Sequence, residues 1–93
     1  MLSTHVLDTA NGRPAAGVRV ELFRGGDLIA ADETDGDGRI RELADVAAGT
    51  YTLVFHPPSP FFTRVELQLE LGDGDTHVPL LVSPYSCATY RGS

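Results

Sequence analysis

The chain contains no lysine and no tryptophan, one cysteine, one methionine and no long apolar run. With lysine absent, its cations are seven arginines scattered singly through 93 residues, against a net charge of −6. No basic stripe exists to neutralise phosphates along a duplex or an anionic bilayer, so neither nucleic acid nor membrane is expected as a partner. No stretch approaches the ~20 apolar residues that span a bilayer. The opening Met1-Leu2-Ser3-Thr4-His5 has neither the basic start nor the apolar stretch of a signal peptide. Cys87 has no partner for an internal disulfide, which fits a reducing compartment and a cytoplasmic location. Two histidines and that cysteine match no compact zinc spacing, and Asp35 and Asp37 lack the later ligands and closing glutamate of a calcium loop. No metal and no cofactor are expected.

What is present suffices for a core. Hydrophobic residues make up 42 % of the chain, which puts it in the globular class as one domain over residues 1–93. Ten glycines and six prolines cut it into pieces too short for amphipathic helices and suited to strands. The pattern predicts an all-β antiparallel sandwich of seven to eight strands. These are Thr4 to Asp8, Val18 to Phe23, Leu28 to Glu33, Arg39 to Leu43, Tyr51 to Phe55, Arg64 to Leu71, His77 to Val82 and Ser86 to Arg91. Asn11-Gly12-Arg13-Pro14 and Asp35-Gly36-Asp37-Gly38 read as turns. Arg64 to Leu71 alternates cleanly, with Val65, Leu67, Leu69 and Leu71 on one face and charged or polar residues on the other.

The strand from His77 is different, being apolar in both phases. If Val78, Leu80 and Val82 fill the core, His77, Pro79 and Leu81 emerge on the outer face. By the same parity, Val6 facing inward puts His5 and Leu7 outward. Apolar groups on an outer face imply that something covers them. Two histidines from opposite ends of the chain thus point toward one intermolecular surface, where imidazole near neutrality suits a general base. Taken singly, each is also an ordinary surface histidine. Arg39, after a Gly-Asp-Gly turn, is either a solvated edge charge or a planar pair of donors for an oxyanion or a flat ligand. His56, before two prolines, reads as structural.

The tail keeps aromatic, hydroxyl and guanidinium groups to the last residue, where most termini fray. The run His77-Val78-Pro79-Leu80-Leu81-Val82-Ser83-Pro84-Tyr85, followed by Tyr90-Arg91-Gly92-Ser93, resembles the terminal signature of 5-hydroxyisourate hydrolases, the transthyretin-related enzymes of urate breakdown. Leu2-Ser3-Thr4-His5-Val6-Leu7-Asp8, Gly12-Arg13-Pro14-Ala15-Ala16-Gly17-Val18 and Asp37-Gly38-Arg39-Ile40 match the same family in order, so the resemblance covers nearly the whole chain. It implies a transthyretin-like sandwich and a homotetramer with active sites between two dimers. It also implies a catalytic set of His5, Arg39 and His77, with Tyr90, Arg91, Gly92 and Ser93 completing a substrate pocket. The implied reaction is hydrolysis of 5-hydroxyisourate at its N1–C6 amide, with water as nucleophile and no cofactor.

The sequence departs from the family pattern in three ways. The connection after Phe55 lacks the usual longer segment with a short helix, Asp75 stands where a histidine is common, and Cys87 stands where an aromatic is common. Two rival readings share parts of the pattern. Carboxypeptidase-regulatory-like modules, which are spacers or adhesive units, resemble the first half, including Arg39. A transthyretin-like carrier would share the fold but lacks both histidines and the Tyr-Arg-Gly-Ser ending.

Overall fold

The computed structural model describes residues 1–93. Alternating apolar side chains and frequent turn residues give nine strands and no helix. These are β1 (Leu2–Asp8), β2 (Arg13–Pro14), β3 (Arg19–Arg24), β4 (Asp27–Glu33), β5 (Arg39–Ala44), β6 (Gly49–Phe55), β7 (Val65–Leu71), β8 (Thr76–Ser83) and β9 (Ser86–Thr89). One sheet has the order β4-β3-β6-β7 and is antiparallel throughout. In the other, β8 and then β9 flank β1 on one side, while β2 and β5 share its opposite edge. β5 takes the Leu2 to His5 end and β2 pairs with Leu7 and Asp8.

The expected strands are present to within two residues at either end, and three features differ. The Asn11-Gly12-Arg13-Pro14 turn leads into an additional two-residue strand, tolerated because Pro14 lies at a sheet edge where its missing N–H breaks no ladder. The sandwich is not wholly antiparallel: β1 and β8 run parallel over seven paired positions, Leu2↔Thr76 to Asp8↔Val82. Periodicity assigns faces but carries no information on strand direction when most of the chain lies between two strands. The last strand stops at Thr89 rather than Arg91, and the tail then folds back onto β8.

The inner faces meet in a core that includes Val6, Val20, Leu22, Leu53, Phe55 and Leu80, all without measurable exposure. Val65, Leu67 and Leu69 remain half-buried because β7 is an edge strand bordering an open cleft. Buried polar groups are satisfied. Thr4 Oγ1 donates to the Val78 carbonyl at 2.6 Å, and Thr34 Oγ1 donates to the Ala15 carbonyl at 2.7 Å while accepting from the Val18 N–H at 2.9 Å. These bonds matter because an unmade one in the interior costs ~1–3 kcal/mol.

Candidate active site

Burial along β1 alternates, with Leu2, Thr4 and Val6 inward and Ser3, His5 and Leu7 half-exposed on the outer face. On β8, Val78, Leu80 and Val82 point inward, which leaves His77 and Leu81 half-exposed on the outer face, while Pro79, in the same phase, is buried. The parity expectation therefore holds for both histidines. Strand pairing adds what parity lacks. Arg39 is the direct cross-strand partner of His5, and Ser3 that of His77. Cross-strand partners share a face at close range, so three strands bring His5, Arg39 and His77 together.

The Asp35–Gly38 turn aims Arg39. One Asp35 carboxylate oxygen accepts from the Asp37 N–H at 2.9 Å and the Arg39 N–H at 3.0 Å, and the other accepts from Arg41 at 3.1 Å. These donors hold the Asp35 carboxyl below its ordinary value, the Arg39 N–H contributing most. Gly38 sits in the gap between β2 and β5 on the β1 edge, and its carbonyl accepts from the Val6 N–H at 2.7 Å. A Cβ there would stand 2.5 Å from the Val6 oxygen, and its φ of 76° lies in the left-handed region. Glycine is required by both crowding and backbone.

Each imidazole has one nitrogen tied to the protein. His5 Nε2 donates to the Asp37 carbonyl at 2.9 Å, since a carbonyl can only accept, so the neutral ring presents Nδ1 as its free nitrogen. His77 Nδ1 lies 2.8 Å from Ser3 Oγ. The opposite edge of the His77 ring is closed by the tail: a Cβ on Gly92 would lie 2.7 Å from His77 Cδ2, and the Gly92 N–H donates to the His77 carbonyl at 2.7 Å. Burial, then the Arg39 guanidinium, then His5 push the His77 pKa below the ordinary 6.5. The shift favours the neutral imidazole.

Of the remaining tail residues, Tyr90 and Arg91 line a cleft of about 690 Å³ beside β7, together with Leu67, Leu69, Val78 and Thr89, and Ser93 is exposed. β9 ends at Thr89, so Tyr90 lies beyond the last strand. Cys87 pairs with Val82 and packs against the core, and burial raises its thiol pKa, which favours the protonated thiol over the nucleophilic thiolate. His56 bonds Glu21 on the other sheet, remote from His5 and His77 in the strand order. No group of three or more His, Cys, Asp or Glu side chains is arranged to hold a metal ion. No helix is long and apolar enough to cross a membrane.

The family model described as HIUase/Transthyretin matches residues 2–92. The chain belongs to this family. Among its relatives, 5-hydroxyisourate hydrolase 2 of Rhizobium meliloti (strain 1021) is 46 % identical over 114 aligned residues, covering 99 % of this chain and 95 % of the relative. The solved structure of Klebsiella pneumoniae 5-hydroxyisourate hydrolase superposes with a TM-score of 0.90 at 37 % identity, covering 99 % of this chain and 97 % of that one. Transthyretin from Sparus aurata gives 0.88 at 26 % identity, covering 98 % and 95 %. An alignment of 114 positions exceeds the length of this family member, so the Rhizobium relative carries segments with no counterpart here. Residues 56–64 connect β6 to β7 without a helix, and the sheets are intact on either side.

Two contributors were missed in the sequence, Ser3 and the Asp37 carbonyl. Ser3 shares the outward phase of His5 and was accessible by parity. Its contact with His77 depends on the parallel register of β1 against β8. The Asp37 carbonyl has no signature in sequence, since every residue carries one.

Proposed function

We propose that this chain hydrolyses 5-hydroxyisourate, opening the six-membered ring at its N1–C6 amide to give 2-oxo-4-hydroxy-4-carboxy-5-ureidoimidazoline in urate breakdown. One observation carries the reading: a half-buried His77 on the same sheet face as Arg39 and His5, in a chain related over its full length to proteins named for this activity. Water is the nucleophile. His77 takes its proton as the oxygen–carbon bond forms, a step worth ~10²–10⁴-fold. Arg39 stabilises the charge growing on the attacked carbonyl oxygen, its planar fork suiting a flat polar ligand. Collapse breaks the carbon–nitrogen bond, and the proton held by His77 passes to the departing nitrogen. His5, anchored through Nε2, orients the substrate by Nδ1, and the C-terminal tail reaches the site at Gly92, which bridges to His77.

We further propose a homotetramer in which a second dimer covers the outer face bearing His5, Arg39 and His77. The half-buried Leu7 and Leu81 on that face support it. A cytoplasmic location accords with the single unpaired cysteine. Substrate generated from urate by urate oxidase, followed by its ultraviolet decay, tests the activity. Acceleration by this protein is expected. Unchanged decay alongside tight binding of a flat aromatic ligand would favour the carrier reading instead.

A further inference from the structure

We propose that Ser3 is a positioning residue that holds His77 as its Nδ1–H tautomer, so that Nε2 carries the free lone pair in the site. The inference rests on the hydrolase reading above and identifies how its base is prepared. Ser3 Oγ and His77 Nδ1 are 2.8 Å apart, and this is the only hydrogen bond of either side chain. The contact is built by register: Ser3 and His77 are paired residues of parallel β1 and β8 on one face of the sheet. On the far side of the ring, Gly92 closes against Cδ2. Nδ1 faces the neighbouring strand and Cδ2 faces the tail, so Nε2 is the nitrogen left to meet water or substrate.

A hydroxyl can donate or accept, and the two choices have opposite chemical consequences. If Ser3 donated to Nδ1, the neutral ring would carry its proton on Nε2 and could not accept one from water. If Ser3 accepts from Nδ1–H, Nε2 is the base. After proton transfer both nitrogens carry hydrogen, and the Ser3 bond persists unchanged, so the ring need not turn during the reaction. The protonation of one ring nitrogen is set by the bond the other makes, and here that bond comes from a strand at the opposite end of the chain. His5 is held in the reverse sense, with Nε2 tied to the Asp37 carbonyl and Nδ1 free. The two rings thus leave different nitrogens free.

The test uses full-length protein labelled with nitrogen-15 in its histidines, comparing wild type, Ser3→Ala and Ser3→Thr by imidazole NMR above pH 7 and by steady-state kinetics. In wild type the His77 ring should show the Nδ1–H pattern. Ser3→Ala should shift it toward Nε2–H and lower kcat about 5- to 30-fold, the range expected for one hydrogen bond to a reacting group, with KM within about twofold. Ser3→Thr, which keeps the hydroxyl, should restore both tautomer and kcat to near wild type. An Nε2–H pattern in wild type, or unaltered tautomer and kcat in Ser3→Ala, overturns the proposal. Wild-type protein with no turnover overturns the hydrolase reading and the positioning role together, while the NMR pattern still decides the contact.

Discussion

His77 is the residue whose environment most directly sets pH dependence. Burial, the Arg39 charge and His5 all disfavour its imidazolium. The acid limb of kcat/KM is therefore expected below pH 6.5, and Arg39→Gln, which removes one of these charges, should move that limb upward while lowering the rate. A pH–rate profile of each protein checks this, and an unmoved limb would separate Arg39 from His77. The same shift affects stability. The folded state binds the His77 proton less tightly than the unfolded chain, so stability is complete above the unfolded value of about 6.5 and declines as pH falls toward the lower folded value. Urea melts at pH 7 and pH 5 should show this loss, reduced in His77→Ala. At neutral pH, His5→Ala and His77→Ala should each lower kcat/KM by ~10²-fold or more while the sandwich stays folded. Near-wild-type turnover by either, in a contaminant-free sample, excludes that residue from catalysis.

At the scale of elements, the Asp35–Gly38 turn carries consequences beyond its length. It delivers Arg39 to the partner position of His5, presents the Asp37 carbonyl to His5 and seats Gly38 on β1. Gly38→Ala puts a Cβ 2.5 Å from the Val6 oxygen and 2.9 Å from Pro14 Cβ, at positive φ. A loss of about 2 kcal/mol or more in urea unfolding is expected, with a fall in kcat as Arg39 is displaced. Gly36→Ala is the control. It meets nothing within 4 Å and needs no positive φ, so its effect should stay within about 0.5 kcal/mol. The C-terminal tail behaves differently, since it is anchored to β8 through the single Gly92 bridge. Gly92→Ala, driven 2.7 Å from the His77 ring, should lower activity with little change in stability, measured on the same two axes.

For the molecule as a whole, small size and an incompletely polar outer face point to assembly. A chain of 93 residues buries a smaller share of its surface than a larger domain does, and Leu7 and Leu81 share the face that bears the two histidines. Light scattering at micromolar concentration should report four chains per particle, and a monomer under those conditions would contradict the tetramer. Charge also acts at this scale. A net charge of −6 sets a general field that repels anions, and Arg39 supplies positive charge locally against it.

The sequence by itself determined the all-β class, every strand but the two-residue β2 to within two residues, the turn before Arg39 and the outward phase of His5 and His77. These follow from periods of two and from turn chemistry, which act over a few residues. Only the tertiary structure decided that β1 and β8 run parallel, that Arg39 is the partner of His5, and that Ser3 and Gly92 grip opposite edges of the His77 ring. Pairing between strands more than seventy residues apart depends on how two sheets close over a shared core. A local pattern specifies which face a side chain occupies, but its neighbour on that face is set by register across the whole chain.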